Sequence, residues 1–333
     1  GVVETTYTEA DESYAAKRRS QKSGVRTRQL PGVSPLVFSR FLLEKTAFLS
    51  LFDMGKALPS YEEIPIACRM DEAVQSEYKR IENALVRVLR SDRRVAQKIL
   101  SAYLNLLTVY PDQPYDQKRI FYPDSDEPIV EPENIGDTDT LGEKEQKTLE
   151  IVKAAIQNGE RALIYTSWVR TDSQQKLKKL LTDEGYRTEI LIDKIKTTYR
   201  EDWVQKKLAA GMQVLIVNPS LVETGLDLNA FTTLVFYSMG YKLFTLRQAS
   251  RRSWRINQKA PAVKVYMLYY EDTMQQKCLK LMASKLAVAG LIEGNFSEEG
   301  LAAMSDVQDM TSQMEKELML GIRDNVEDIA AAF

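Results

Sequence analysis

Five short apolar runs separated by stretches of helical period constrain this chain more than any other feature. ALIYT (162–166), RTEILI (187–192), QVLIV (213–217), TTLVFY (232–237) and AVKVYMLYY (262–270) are nearly continuous in apolar residues rather than alternating. A strand with one wet face alternates, whereas a strand apolar on both faces needs cover on both sides. One intervening helix carries Leu149, Val152 and Ile156 and stops at Gly159. A second starts at Thr171–Gln174, which fits a capping box, and ends by Gly185; a third opens with the capping box Thr198–Glu201 and closes at Gly211. This alternation predicts an α/β fold with a mostly parallel sheet flanked by helices on both faces. Ligands are then expected along the edge where the strands end.

The remaining sequence is read around that unit. Residues 1–29 are expected to be a flexible basic segment, with Lys17, Arg18, Arg19, Lys22, Arg26 and Arg28 and few apolar side chains. Residues 30–110 read as a helical extension. Within it Asp71 is placed to N-cap a helix bearing Val74, Tyr78, Ile81, Leu85, Val88 and Leu89, and a second helix carries Val95, Ile99, Leu100, Tyr103, Leu104 and Leu107. Residues 111–145, rich in proline and acid, read as a surface loop or linker with a short hairpin around 120–130. The lobe proper is expected at 146–292 and a helical tail at 293–333.

Composition removes several functions. Histidine is absent, which excludes Ser-His-Asp and Cys-His nucleophilic systems and any His-ligated metal site. Cys68 and Cys278 stand far apart, in no metal-like spacing, and fit a reducing cytoplasm rather than a disulfide scaffold. The sequence has no apolar run of the ~20 residues a membrane span needs and no signal peptide, so no membrane partner is expected. The net charge of −2 decides nothing about partners, because the charge is unevenly laid out.

One stretch shows how uneven. From Gly240 to Tyr270 there are seven Lys or Arg and no Asp or Glu. Inside it, QASRRSWRINQ places Gln248, Arg252, Arg255 and Gln258 at spacings of four, three and three, so the first three would share one helical face. Cations without local partners beside a core need an anion from elsewhere. Phosphate matches a guanidinium fork that does not deprotonate.

The pattern Q-x3-R-x2-R-x2-Q resembles motif VI of superfamily 2 helicases in its Swi/Snf form. RALIYTSW (161–168) is similar to motif IV, and VLIVNPSLVETGLDLNAFTTLVFYS (214–238) to motif V and its following strand. In this order and spacing the three together are specific. The resemblance implies a RecA-like second lobe whose Arg255, and secondarily Arg252, reach the γ-phosphate of ATP held with Mg2+ on an N-terminal RecA-like lobe of the same parent chain. Gln248, Gln258, Gly225 and Asp227 would support that cleft. Thr166, Ser167, Trp168, Asn218 and Ser220 would face the backbone of double-stranded DNA. LPSYEEIPIACRMDEAVQSEYKRI (58–81) resembles the stretch leaving the first lobe, where LP precedes a strand and then a helix ending in Y-x2-I, ahead of helices that flank the DNA track.

The chain departs from the family where Val222-Glu223 replaces a pair of small residues and Pro219 replaces a common Thr, losing an N–H. Bland alternatives stand beside several assignments. Asp227 could simply cap its own turn, Trp168 could pack rather than stack on a base, and Trp254 could sit in the core or between the arginines. Neither GxxxxGK[ST] nor a DExH-like box occurs, so the sequence reads as part of a longer protein and is expected not to hydrolyse ATP alone. A silent DNA- or protein-docking module is the second reading. A Rossmann-like enzyme is the third, weakened because no G-x-G-x-x-G follows any predicted strand.

Overall fold

The structure is a computed structural model that describes residues 2–5, 26–29, 45, 58–167, 172–222, 226–240, 243–256 and 258–293. The readings for most of 1–57, for Trp168 and Gly225, and for the tail at 294–333 fall outside them. The chain divides into two units, residues 1–50 with 291–295, and residues 51–290 with 296–333. In the first, β1 (Val2–Thr5) pairs antiparallel with β2 (Arg26–Gln29).

The second unit holds the expected sheet. In chain order come β3 (Ser60–Cys68), α1 (Glu72–Ser91), α2 (Arg93–Val109), β4 (Ile120–Phe121), β5 (Pro128–Val130), α3 (Glu143–Gln157), β6 (Ala162–Tyr165) and α4 (Ser173–Asp183). Then follow β7 (Thr188–Leu191), α5 (Thr197–Ala209), β8 (Val214–Val217), β9 (Thr233–Phe236), α6 (Leu243–Ser250), β10 (Ala262–Tyr270) and α7 (Met274–Glu293). The six-stranded sheet runs β3-β10-β9-β6-β8-β7, and every pairing in it is parallel. Because β8 and β9 flank β6 on opposite sides, the topology reverses there, and ligand crevices in such sheets open beyond the strand ends at that point.

Successive strand residues feed two separate cores. Leu163, Tyr165, Leu215, Val217, Leu234 and Phe236 join Val204 of α5, Leu246 and Ala249 of α6 and Leu279 and Met282 of α7. Ala162, Ile164, Val214, Ile216 and Val235 join Val152 of α3 and Leu177 and Leu181 of α4. The period of two on each face explains why the strands read as apolar throughout. Glycines close the helices where a side chain would be strained: Gly159 and Gly185 stand at φ +75° and +87°.

Two expectations need correction. Residues 30–110 are not helical throughout: as the resemblance at 58–81 implies, a strand follows Leu58-Pro59, and this Ser60–Cys68 strand joins the sheet as its edge, in register with all of β10 from Ala262↔Ser60 to Tyr270↔Cys68. The lobe therefore starts well before 146; the edge tolerates Pro65, whose missing N–H would break a central strand. The capping box at Thr198–Glu201 also does not form, and Thr171 of the other lies outside the described residues. The N-caps are Asp172 and Lys196, each without a side-chain cap. Gln174 instead donates to the Thr166 hydroxyl (2.7 Å), and Glu201 accepts the Asp227 amide (2.9 Å).

Helices α1 and α2 form a hairpin with its own core of Tyr78, Ile81, Leu85, Ile99, Tyr103 and Leu107. The stretch 111–145 is largely exposed and holds the expected hairpin as β4 paired antiparallel with β5, but its two ends contribute a fully buried polar joint. Lys144 Nζ donates to Asp112 Oδ1 (2.7 Å) and Gln275 Oε1 (2.8 Å), and lies 4.8 Å from the Tyr237 ring centroid. Beside it Glu145 accepts from Lys176 (2.6 Å) and the Tyr237 hydroxyl (3.0 Å). Burial raises the Asp112 carboxyl above its usual range while the Lys144 ammonium pulls it back down. This joint ties the end of α2 to α3, α7 and the sheet.

Candidate functional site

The polar residues beyond β6, β8 and β9 stitch the strand ends to one another. Thr166, fully buried, donates its amide to the Val217 carbonyl (3.1 Å) and accepts at its hydroxyl from Gln174. The Ser167 amide donates to the Ser238 hydroxyl (2.8 Å), and the Ser167 hydroxyl donates to the Ser238 carbonyl (3.0 Å). Asn218 Nδ2 donates to the Ser167 carbonyl (3.1 Å), while its Oδ1 accepts from the Ser220 amide (2.9 Å) and hydroxyl (2.6 Å). Asn218 thereby caps a short 3-10 turn over Pro219–Leu221, where the N–H that proline lacks would have had no partner anyway. These bonds correct the expectation of outward donors. Thr166, Ser167 and Asn218 are occupied internally, and of the four described candidates only Ser220 is exposed.

Sequence reasoning missed the neighbour of that rim. The loop between β7 and α5 lies beside the 219–221 turn, because Arg200 bridges the Ile195 carbonyl (Nε, 3.1 Å) and the Leu221 carbonyl (Nη1, 2.9 Å). Lys194 and Lys196 are exposed on this loop, and α5 begins behind them with no acidic residue in its first turn. The signal was available in IDKIKTTYRE, where two lysines precede a helix start.

The arginine segment differs from expectation in both conformation and place. Helix α6 ends at Ser250, so Arg252 and Arg255 stand on an irregular turn rather than on a helical face with Gln248. The serines explain the stop. Ser250 donates its hydroxyl to the Arg247 carbonyl (3.2 Å), and Ser253 donates to the Leu228 carbonyl (3.0 Å), bonds that compete with helical continuation. The turn lies over one face of the sheet rather than at the strand-end edge. It spans from the end of β6, where the Tyr165 hydroxyl donates to the Ala249 carbonyl (3.0 Å), to the start of β3, where Trp254 Nε1 donates to the Pro59 carbonyl (2.9 Å).

The two arginines form a like-charged pair. Burial, and then the positive charge of Arg255, pull the Arg252 guanidinium below its ordinary pKa; the Tyr165 hydroxyl acts weakly the other way. A guanidinium stays protonated regardless, so both charges persist on the turn. Both side chains are half-buried, and among the described residues Arg255 joins none of the ion pairs. The supporting residues divide. Gln258 Nε2 donates to the Asn229 carbonyl (2.9 Å) and the Ser253 carbonyl (3.0 Å), linking the turn to the 227–229 loop. Asp227 does not orient the arginines: its Oδ1 accepts the Asn229 amide (3.0 Å) and closes its own turn. Among the described residues no group of three or more acids or thiols gathers as a metal ligand set. None of their helices is long and apolar enough to cross a membrane.

Residues 143–257 match the family model of the helicase conserved C-terminal domain. No curated protein matches the chain. Among solved structures, the C-terminal part of the Fun30 ATPase domain is similar at a TM-score of 0.56 and 14% identity, over 81% of this chain and 99% of that one. The Sulfolobus solfataricus SWI2/SNF2 ATPase core in complex with dsDNA is similar at 0.51 and 17% identity, over 78% of this chain and 50% of that one. The fold is thus the RecA-like one read from the sequence, and residues 143–257 are similar to a helicase C-terminal domain.

Proposed function

We propose that this chain is the second motor lobe of an ATP-dependent DNA translocase of the SWI2/SNF2 type, acting opposite a RecA-like first lobe that holds ATP and Mg2+. The observation that carries this reading is the Arg252–Arg255 pair, two half-exposed guanidiniums on a turn braced by Ser253, Trp254 and Gln258. Guanidinium groups placed so match the oxygens of a phosphoryl group, and their hold on it strengthens as its charge develops.

ATP, when bound, supplies the γ-phosphoryl group that is transferred to water. Arg255 would meet the oxygens of that group from across the cleft, and Arg252 would lend its charge from the more buried side. Gln258 would hold the turn against the 227–229 loop, so that cleft closure and the nucleic-acid rim move together. Ser220, Lys194 and Lys196 would contact phosphates of double-stranded DNA. Contacts of that class fix register without reading sequence.

The test is Arg255→Ala in the protein that carries both lobes. Loss of an arginine finger costs roughly 10³–10⁵ in rate. DNA-stimulated kcat should collapse while the affinity for ATP stays within a few-fold of wild type. Turnover within threefold of wild type would remove the arginine assignment.

A further inference from the structure

We infer that Trp254 is a positioning residue for the arginine pair, clamping the turn that carries it onto the strand by which the chain enters the sheet. The inference rests on the reading of Arg252 and Arg255 given above. An irregular turn has no ladder of its own to hold it, so each anchor counts. The C-terminal half of this turn is fixed to the 228–229 loop through Ser253 and Gln258. Trp254, between the two arginines, sends its side chain the other way and is 2% exposed. Its indole N–H reaches the Pro59 carbonyl at 2.9 Å. Its ring lies 5.2 Å from that of Tyr61, tilted by 45°, and the Arg251 guanidinium stands 5.7 Å from the ring centroid. Tyr61 is held in turn, its hydroxyl donating to Glu63 on the same strand (3.0 Å).

The geometry of this clamp has a directional consequence. A tryptophan has two χ angles, and with its ring packed and its N–H committed neither can turn without breaking a contact. Arg252 and Arg255 flank it in sequence, so their Cα positions are set by where Pro59 and Tyr61 sit. Any displacement of the chain at 58–61 is transmitted to the guanidiniums. Misplacement of a catalytic group by about 1 Å can cost on the order of 10²-fold in rate.

The experiment uses the two-lobe protein and measures steady-state ATP hydrolysis at saturating DNA for Arg255→Ala, Trp254→Phe and the double variant. Trp254→Phe keeps an aromatic ring and deletes the N–H that reaches the Pro59 carbonyl. We expect kcat to fall about tenfold, KM for ATP to stay within twofold, and the double variant to be no slower than Arg255→Ala alone. If Arg255→Ala keeps its turnover, the reading of the arginines fails and this inference fails with it. If Arg255→Ala is inactive but folded Trp254→Phe turns over normally, this inference alone fails. It also fails if the two losses multiply, because the tryptophan would then act independently of the arginine. Should Trp254→Phe not fold, Tyr61→Leu tests the clamp from the strand side, with roughly threefold lower kcat and unchanged KM expected; an unchanged kcat overturns the inference.

Discussion

Replacing Lys144 by methionine would leave the Asp112 carboxylate in the interior without its countercharge. Lys144 and Asp112 have side chains 0% and 2% exposed and meet at 2.7 Å. Removing one member of a buried pair costs about 3–5 kcal/mol, because the remaining charge has neither water nor partner. For a unit of this size each kcal/mol moves Tm by about 2–4 °C, so Lys144→Met should lower Tm by roughly 6–20 °C. The effect should also depend on pH. Burial already raises the folded Asp112 carboxyl against the pull of Lys144, and losing that pull raises it further. A carboxyl raised on folding binds more protons in the native state than in the unfolded one, so stability falls as pH climbs above the ordinary carboxylate range. The deficit of Lys144→Met relative to wild type should therefore be larger near about pH 7 than near about pH 5. Asp112→Leu added to Lys144→Met should recover much of the loss, since apolar side chains of similar volume replace a buried pair at little cost. Thermal unfolding followed by circular dichroism at both pH values decides it. A single variant within ~1 kcal/mol of wild type, or a deficit independent of pH, would refute the account of the joint.

Two further outcomes are open to direct measurement. Joint replacement of Lys194 and Lys196 by alanine should weaken binding to DNA of any sequence alike, and should make the slope of log K against log salt less negative by about two; fluorescence anisotropy across a salt series with unrelated duplexes reads both. Tyr165→Phe removes the hydroxyl that donates to the Ala249 carbonyl, so it should cost about 1 kcal/mol and lower Tm by about 2–4 °C in calorimetry.

Features that depend on local pattern were legible. The apolar runs gave every central strand, and the glycines at 159, 185 and 211 marked helix ends where they occur. The spacing of Gln248, Arg252 and Arg255 was misleading, because 3.6 periodicity sees a face but not the hydroxyls of Ser250 and Ser253 that end the helix. Thr166, Ser167 and Asn218 were rightly placed at strand ends and wrongly pointed outward. Whether a hydroxyl faces a ligand or a neighbouring strand depends on Ser238, 71 residues from Ser167 in sequence. Gln174 and Glu201 were assigned to local caps for the same reason: their tertiary partners are invisible to spacing. The joint at Lys144 was missed because GEKEQK looks like an exposed helix start, and only the fold brings Asp112 and Gln275 to it.

The long pairing between β3 and β10 bears on how this molecule can be cut. A shortened chain starting at the matched stretch, near residue 143, would keep five of the six strands and both arginines. It would also strip the partner from all of Ala262–Tyr270, baring a nine-residue apolar edge of the kind that recruits other molecules into aggregates. The tryptophan clamp and the lysine joint would lose their far sides in the same stroke. Such a truncation should be expected to precipitate or bind promiscuously, and its silence in an ATPase assay would say nothing about the motor.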